Sequence, residues 1–331
     1  MSGEIMAKEV AEAVETFVRA ASSDLSGHAS VLQGRSAIYT IARGSSDAAA
    51  TILAYEFMRE LGLPVTSLPP SVFSLGAGVK MEGALALGIS QSGGSEDLVR
   101  AVRGAKEAGA ATVGILNVVD SPVGREVDAV APILAGPEIA VPATKSVVGT
   151  VGAGVALLAA LKPDYAPKAK AAAAAFAEVG TAITPKAEAL FAALKDAQHI
   201  YVVGRGAGFG AAQEVALKLK ETSVLHAESY SASEVLHGPL QLVKRGLTVV
   251  ILDTGEQSAR ASLDLAEARF TAAGGKVVRV AANEISSAEL TPAAAAALLL
   301  CAIYPVIRDV ALALGYNPDA PETLSKVTQT I

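Results

Sequence analysis

The chain of 331 residues contains an internal repeat that keeps its register over a long stretch. The segment Ile38-Tyr-Thr-Ile-Ala-Arg-Gly44 matches Ile200-Tyr-Val-Val-Gly-Arg-Gly206, at an offset of 162 residues. The same offset aligns further identical residues without a gap: Ala49 with Ala211, Ala50 with Ala212, Ala54 with Ala216, Leu63 with Leu225, Ser67 with Ser229, Ser71 with Ser233 and Gly76 with Gly238. Chance is a poor explanation for so many matches in one register, so the chain is expected to fold as two similar halves.

Both halves begin with the same order of elements. A short apolar strand, a glycine-containing turn, a helix of about four turns and a second strand form the repeating pattern of a parallel doubly wound sheet. We predict strands at 36–42, 84–90, 111–116 and 129–132 in the first half, and at 199–203, 247–252 and 276–280 in the second. The predicted fold is therefore α/β, with two tandem doubly wound parallel-sheet domains.

The domain boundary is placed near residue 165. The first domain, residues 1–165, includes a leading helix over 5–22, which is too short to be a separate DNA-binding domain. The second domain, residues 166–331, ends in a C-terminal tail. The run Pro163-Asp-Tyr-Ala-Pro167 and an alanine-rich helix to about Gly180 lie at the boundary, as either a linker or the opening helix of the second domain.

The run Leu85-Ala-Leu-Gly-Ile-Ser-Gln-Ser-Gly-Gly-Ser-Glu-Asp97 combines an apolar strand, a turn rich in serine and glycine, and a helix beginning near Glu96. Serine hydroxyls, close backbone approach at the glycines and the helix N-terminus together favour an anion, above all phosphate. The turn lacks the lysine and glycine spacing of the nucleotide-binding loops, which favours a small phosphorylated metabolite. The structural alternative is an ordinary turn in which Ser92 or Ser95 caps the helix.

In such sheets the ligand lies at the carboxyl ends of the strands. The turns Arg43-Gly-Ser-Ser46 and Ser90-Gln-Ser-Gly93 follow two predicted strands of the first half and are expected to converge on one site. In the second half the offset places Asp253-Thr-Gly-Glu-Gln257 opposite the serine-rich turn. Because that turn is acidic, only the first half is expected to bind the anion.

Composition excludes several classes of function. With 51% hydrophobic and 18% charged residues the chain is globular, and a net charge of −6 with scattered Lys and Arg offers no basic face to nucleic acid or anionic lipid. The apolar stretches 147–161 and 292–307 fall short of the roughly 20 residues that span a bilayer, and are predicted to be buried core helices. Without a signal pattern at the N-terminus, the expected location is the cytoplasm.

Cysteine and histidine give no sign of a metal or redox centre. Cys301 is the single cysteine, so no disulfide forms within the chain, and its apolar surroundings predict a buried, inert thiol. The four histidines show no metal-ligand spacing with carboxylates or with the cysteine. We therefore expect neither a metal nor a cofactor.

Together with the repeat and the Ser90-Gln-Ser-Gly93 turn, two segments of the second half carry a family resemblance. They are Leu217-Lys-Leu-Lys-Glu-Thr-Ser-Val-Leu-His-Ala-Glu228 and Glu234-Val-Leu-His-Gly-Pro-Leu240. The chain resembles proteins with two sugar isomerase (SIS) domains, above all the isomerase half of glucosamine-6-phosphate synthase and stand-alone SIS-type glucosamine-6-phosphate deaminases. The resemblance covers nearly the whole chain and implies two SIS domains of flavodoxin-like fold.

The resemblance also implies roles for individual residues. Glu221 matches the base that moves a proton between C1 and C2, His237 the ring-opening residue, and Lys326 the C-terminal lysine that closes over the substrate. In the synthase pattern an arginine follows the proline of the C-terminal segment, whereas Glu322 follows Pro321 here. The implied sugar-phosphate contacts are Ser45, Ser46, Ser90, Gln91, Ser92, Ser95 and the backbone of Val141.

These residue types suit the chemistry independently of the family. Ring opening needs a group that gives and takes a proton near neutral pH, which suits His237, and proton transfer between adjacent carbons needs a carboxylate such as Glu221. A lysine can stabilise an enolate oxygen or form a Schiff base. The structural alternatives are an ion pair of Glu221 with Lys218 or Lys220, a histidine that ends a helical turn, and a loose basic residue near the terminus.

The implied function is an amino-sugar-phosphate deaminase and isomerase that converts glucosamine 6-phosphate and water to fructose 6-phosphate and ammonia. The chain begins Met1-Ser-Gly-Glu and lacks an N-terminal cysteine, so release of ammonia from glutamine is not expected. A galactosamine-6-phosphate deaminase, a fructosamine-6-phosphate deglycase and a plain aldose–ketose isomerase remain open, as does a non-catalytic sugar-phosphate sensor. The resemblance further implies a homodimer with shared active sites, in which the neighbour supplies His237.

Overall fold

A computed structural model describes residues 2–181 and 184–326 of the chain. The elements of the first half are, in order, α1 (Glu4–Ala11), α2 (Ala13–Ala21), α3 (Ala29–Leu32), β1 (Ala37–Ile41), α4 (Gly44–Leu61), β2 (Val65–Ser67), α5 (Ser71–Ser74), β3 (Ala84–Ser90), α6 (Glu96–Glu107), β4 (Ala111–Leu116), α7 (Pro122–Glu126), β5 (Ala129–Pro132), α8 (Lys145–Leu161) and α9 (Ala166–Val179). Short 3-10 helices lie at Ser26–His28 and Pro163–Tyr165.

The second half follows the same plan. Its elements are α10 (Ala187–Lys195), β6 (His199–Gly204), α11 (Ala207–Ser223), β7 (Ala227–Ser231), β8 (Leu247–Asp253), α12 (Gln257–Ala272), β9 (Lys276–Ala281) and α13 (Pro292–Ala313), with 3-10 helices at Glu234–His237, Pro239–Arg245 and Ala282–Glu284. The strands form two parallel sheets, in the orders β2-β1-β3-β4-β5 and β7-β6-β8-β9. The predicted α/β fold with two parallel sheets is confirmed.

The strand predictions hold to within one residue at each end. Strands β3, β4 and β5 have the predicted bounds. A largely apolar run marks β3 and β4, which are buried on both faces of the parallel sheet, whereas the edge strand β5 is buried at alternate residues. The prediction left β2 and β7 without bounds. Each lies at a sheet edge and carries polar residues, as in the sequence Val-Thr-Ser of β2, so no apolar run marks it.

The internal repeat is visible in the structure. At the offset of 162 residues, β1 coincides with β6, α4 with α11, and β3 with β8, each within one residue at the start. The register then slips, because β9 begins three residues later than the offset places it. Within the described residues β5 has no counterpart in the second sheet.

The two halves share one hydrophobic core in which α4 packs against its repeat partner α11. Close approach of the two helices requires Gly210, because a Cβ atom at that position would lie 2.6 Å from the backbone nitrogen of Ile52. Helix α13 packs against α11 and also contacts α8, so it bridges both halves. This packing brings the serine-rich turns of the first half next to α11 of the second.

Helix α13 is the one described helix that is long and apolar enough to cross a membrane by length and composition, but 78% of its apolar window is buried inside the protein. This burial agrees with the predicted core helix, although the helix continues through Pro305 to Ala313, beyond the predicted end at 307. Cys301 on this helix is buried, and burial raises the pKa of its thiol to about 12. The thiol is therefore protonated near neutral pH.

The predicted leading helix is wrong in one respect, since it consists of α1 and α2, which meet at Glu12. The two segments have different partners: α1 packs against α13, whereas α2 packs against α8 and α9. At the junction, the carboxylate of Glu12 lies 2.5 Å from the ammonium of the buried Lys145. Helix α9, which the predicted boundary assigns to the second domain, contacts α2 and α8 and therefore packs with the elements that precede it.

Candidate active site

A cleft of about 360 Å³ lies where the carboxyl ends of β1 and β3 meet α11 and the C-terminal tail, which is described over residues 314–326. Its volume is within the usual range for small-molecule sites. The turns after β1 and β3 both line it, as the sheet topology predicts. Nine of the ten residues singled out from the sequence line this cleft: Ser45, Ser46, Ser90, Gln91, Ser92, Ser95, Val141, Glu221 and Lys326.

The serines of the turn after β3 differ in whether their hydroxyls form hydrogen bonds within the turn. The hydroxyl of Ser90 accepts from the backbone N–H of Gly93 at 2.9 Å, and the hydroxyl of Ser92 accepts from that of Gly94 at 3.3 Å. Ser95 occupies the N-cap of α6 but makes no side-chain capping bond. The capping alternative therefore does not account for Ser95, which lies at a helix N-terminus, a position that favours anions.

The shape of the turn depends on glycine at position 93. Gly93 has a φ of 60°, in the left-handed region, and a Cβ atom there would lie 2.0 Å from the hydroxyl of Ser121. Any larger residue would displace the neighbouring loop. The serine hydroxyls are therefore held in place by a backbone conformation that this glycine permits.

Arg43 joins the two turns of the first half. Its Nε donates to the carboxylate of Asp97 at 2.6 Å, while its Nη2 forms an ion pair with the same carboxylate oxygen. Asp97 is buried, but the side chain of Arg43 remains 53% exposed and lines the cleft. The arginine thus places a positive charge beside the serine-rich turn.

The inner face of α11 carries a row of charged residues that ends at the cleft. Lys218, fully buried, forms an ion pair with Glu221 and lies 3.5 Å from Glu214, whose carboxylate accepts from the hydroxyl of Tyr304 at 3.0 Å. The side chain of Glu221 keeps 24% of its surface exposed in the cleft. The ion pair with Lys218 that the structural alternative describes is therefore present, but its lysine is buried and Glu221 lines the cleft, while Lys220 is exposed to solvent.

Burial and neighbouring charges shift the pKa values of two residues in this row, Glu214 and Lys218. Burial raises the pKa of Glu214 to about 7, although the charge of Lys218 opposes the rise. For Lys218 burial alone would lower the pKa, but the carboxylates of Glu214 and Glu221 outweigh it, so the pKa lies above its ordinary value. Lys218 is therefore a charged ammonium in the protein interior, held by carboxylates on the same helix face.

The C-terminal tail and the loop before α8 close another side of the cleft. The ammonium of Lys326 donates to the carbonyl of Ala140 at 2.6 Å and lies 3.3 Å from the carboxylate of Glu138. Val141 donates its backbone N–H to the carbonyl of Asp319 at 2.9 Å, so this N–H serves a contact with the tail. Val141 on the loop and Lys326 on the tail, the two residues that the resemblance implies here, therefore both line the cleft.

His237 is the singled-out residue that does not line the cleft of its own chain. It ends the 3-10 helix Glu234–His237 and is exposed to solvent. Within residues 2–181 and 184–326, no group of three or more His, Cys, Asp and Glu side chains is arranged to hold a metal ion.

Sequence reasoning did not assign Arg43, Lys218 or Glu138 to the site. For Arg43 the repeat held a signal, since the matching Arg205 follows the equivalent strand in the second half. For Lys218 the signal was its spacing of four from Glu214 and three from Glu221, which places all three on one helix face. Glu138 gave no local signal, because its partner Lys326 lies far along the chain.

Comparison with known proteins gives one family. The model of the SIS domain matches residues 32–160 and 193–298. The glutamine–fructose-6-phosphate aminotransferase (isomerizing) of Sulfurisphaera tokodaii is 31% identical over 294 residues, which cover 87% of this chain and 49% of the relative. The chain thus spans about half the length of the curated relatives it matches, and the matched part is their isomerase half.

Solved structures agree on the architecture. A candidate phosphosugar isomerase from Silicibacter pomeroyi superposes with a TM-score of 0.83 and 33% identity, covering 95% of this chain and 99% of the other. A glucosamine-6-phosphate deaminase from Thermotoga maritima superposes with a TM-score of 0.75 at 19% identity, covering 98% of this chain and 100% of the other. At that lower identity the second likeness shows the fold alone.

Proposed function

This chain belongs to the SIS domain family, and we propose that it is an amino-sugar-phosphate deaminase and isomerase. The proposed reaction converts glucosamine 6-phosphate and water to fructose 6-phosphate and ammonia. The observation that carries the proposal is that the serine-rich turn after β3 and the carboxylate of Glu221 line one cleft of suitable size. The similarity to aminotransferases and to phosphosugar isomerases supports the same class of substrate.

At one end of the cleft, the turn between β3 and α6 would bind the phosphate. Ser95 and the backbone N–H groups at the start of α6 would donate to the phosphate oxygens, and Arg43 would add a positive charge. Binding energy from the phosphate would fix the orientation of a small sugar. The reacting carbons would then lie toward α11.

At the other end, Glu221 would carry out the proton transfer. In the open-chain amino sugar, Glu221 would remove the proton from C2 and return it to C1, while the oxygen at C1 gains the proton that the nitrogen loses. The C1 aldehyde and C2 amine thus become a C1 alcohol and a C2 imine. Water would then add to C2, the C–N bond would break, and ammonia would leave. The ion pair with Lys218 holds the carboxylate of Glu221 in place for this transfer.

The remaining two residues would complete the site. Lys326 would stabilise the negative charge that develops on the oxygen at C1 during enolisation. His237 would open the sugar ring, and because it lies outside the cleft of its own chain, it would come from the neighbouring subunit of a homodimer. This arrangement makes the active site a shared one.

The test is ammonia release by the purified protein from glucosamine 6-phosphate, with galactosamine 6-phosphate and fructosamine 6-phosphate assayed beside it. We expect ammonia and fructose 6-phosphate in equal amounts from glucosamine 6-phosphate. Ammonia release from galactosamine 6-phosphate or fructosamine 6-phosphate alone would identify that sugar as the substrate instead. Interconversion of glucose 6-phosphate and fructose 6-phosphate without ammonia release would indicate a plain isomerase. Tight binding of sugar phosphate with no turnover of any substrate would instead favour a sensor.

A further inference from the structure

We propose that Glu138 is a positioning residue that latches the C-terminal tail over the cleft by binding Lys326. The proposal rests on the proposed function only for the role of Lys326 in catalysis. The latch itself is a statement about two side chains, Glu138 in the loop before α8 and Lys326 in the tail, which lie 3.3 Å apart.

The carboxylate of Glu138 is held rigidly. Its side chain has no exposed surface, and its Oε1 accepts from the backbone N–H groups of Thr144 and Ser146, each at 3.0 Å. Its Oε2 accepts from the hydroxyl of Ser146 at 2.6 Å and is the oxygen that faces Lys326. One oxygen is thus fixed by the start of α8, and the other is presented to the tail.

The loop that carries Glu138 is also bound by helix α1. On α1, the buried Glu9 accepts from the backbone N–H of Ile139 and, at 3.3 Å, from that of Ala140. Asp319, in the tail itself, is bound to the same helix, since its carboxylate accepts from the N–H of Met6 at 2.8 Å. The bonds to Glu9 therefore hold the loop in place independently of the tail.

Asp319 and Lys326 both join the tail to the loop before α8. The carbonyl of Asp319 accepts from the N–H of Val141, which is a neutral backbone bond. Lys326 adds the second contact, with the carbonyl of Ala140 at 2.6 Å and the carboxylate of Glu138. Since a hydrogen bond between charged groups is stronger than one to a neutral carbonyl, the charge of Glu138 supplies much of the hold on Lys326.

The latch explains how a lysine near a chain end reaches the cleft in a defined position. The ammonium of Lys326 keeps 24% of the side-chain surface exposed, and both Lys326 and Leu324 line the cleft. Without Glu138, the hydrogen bond that remains to the ammonium among the described residues is that to the neutral carbonyl of Ala140. The location of the ammonium relative to Glu221 would then vary from molecule to molecule, which lowers the probability of the reactive arrangement.

The test is the substitution Glu138→Gln in the full chain, read by limited trypsin digestion. The amide keeps the shape of the side chain and one oxygen for the N–H groups of Thr144 and Ser146, but it presents an NH₂ group to Lys326. Trypsin must take the lysine side chain into its own pocket before it can cut the bond after Lys326. We expect release of the peptide 327–331, followed by mass spectrometry, to be about tenfold faster in Glu138→Gln than in the wild type.

The matched control is Glu12→Gln, which removes a carboxylate from the same neighbourhood but pairs with Lys145 and not with the tail. We expect it to release the peptide at the wild-type rate. A Glu138→Gln rate equal to that of the wild type overturns the latch. A faster release in both variants also overturns it, because the effect would then be general loosening of the loop.

Activity provides the second readout. If glucosamine 6-phosphate is the substrate, Glu138→Gln should lower kcat about tenfold with little change in KM, and Glu138→Asp, which keeps the charge, should recover part of kcat. Failure of the proposed function would appear as a wild type without turnover, while the trypsin result would still decide the latch. Unchanged kcat together with faster digestion would mean that Glu138 holds the tail in the substrate-free protein and has no role in catalysis.

Discussion

The guanidinium of Arg43 and the carboxylate of Asp97 form an ion pair that ties the turn after β1 to the first turn of α6, with Nε 2.6 Å from the carboxylate. The acid is buried and the arginine is half-exposed in the cleft. The pair therefore fixes the two serine-containing turns relative to each other, and it leaves a positive charge facing the space between them.

The substitution Arg43→Ala removes this tie. We expect the free energy of unfolding to fall by about 1–3 kcal/mol, the usual contribution of a hydrogen bond to a charged group in a partly buried setting. Urea unfolding measures the change. The matched control is Arg100→Ala, which breaks an exposed pair with Glu96 on the same helix and should cost under about 1 kcal/mol. Equal losses in both variants would show that the Arg43 pair has no special role.

The serines of the turn after β3 should separate into binding and structural groups. Ser95→Ala is expected to weaken binding of fructose 6-phosphate about tenfold with little loss of stability, because Ser95 makes no capping bond. Ser90→Ala is expected to lower stability by about 1 kcal/mol, since the Ser90 hydroxyl accepts from Gly93. Calorimetric titration and urea unfolding give the two quantities, and the reverse pattern would contradict the assignment.

The substitution Glu221→Gln tests the proposed base. Turnover should fall by about 10²–10⁴-fold, the usual contribution of a general base, while the affinity for fructose 6-phosphate stays within a few-fold of the wild type. The control Glu188→Gln removes an exposed carboxylate on α10 that does not line the cleft, and should leave turnover unchanged. Retained turnover in Glu221→Gln would remove this residue from the mechanism.

A shared active site predicts complementation between two inactive variants. In a mixed dimer of Glu221→Gln and His237→Ala, one site combines both defects and the other has an intact Glu221 and His237. After unfolding and refolding an equal mixture, half of the dimers are mixed, so activity should recover to about a quarter of the wild type. No recovery, with mixed dimers demonstrated by mass spectrometry, would place His237 in the same site as the Glu221 of its own chain or outside catalysis.

The buried Glu214 predicts a dependence of stability on pH. Burial raises its pKa to about 7 from the ordinary value of 4.5 for a glutamate. Between these values the folded protein holds a proton that the unfolded chain has released, so this residue makes the free energy of unfolding fall as the pH rises from about 4.5 to 7. The effect amounts to at most about 3 kcal/mol.

Glu214→Gln removes this titration because the amide is neutral throughout the range. Relative to the wild type, the variant should therefore gain stability between pH 5 and pH 8. Urea unfolding at both pH values measures the difference for each protein. A difference between the two proteins that stays constant, or changes in the opposite direction, would contradict the raised pKa of Glu214.

The sequence by itself determined the elements that depend on short-range patterns. The repeat at 162 residues revealed two similar halves, and the apolar runs located β3 and β4 at their observed bounds, because strands buried on both faces need largely apolar residues. The serine- and glycine-rich turn before Glu96 was also predictable from its local sequence. A turn and a helix start are specified by adjacent residues.

Only the tertiary structure decided which distant groups meet. Nothing near Glu138 indicates that it faces Lys326, 188 residues away, or that Asp97 holds Arg43. A charged residue in a sequence is expected at the surface, so the burial of Lys218 between Glu214 and Glu221 became evident only from the packing of α11 against α4 and α13. These contacts depend on how the two halves pack, and short-range residue patterns do not specify that packing.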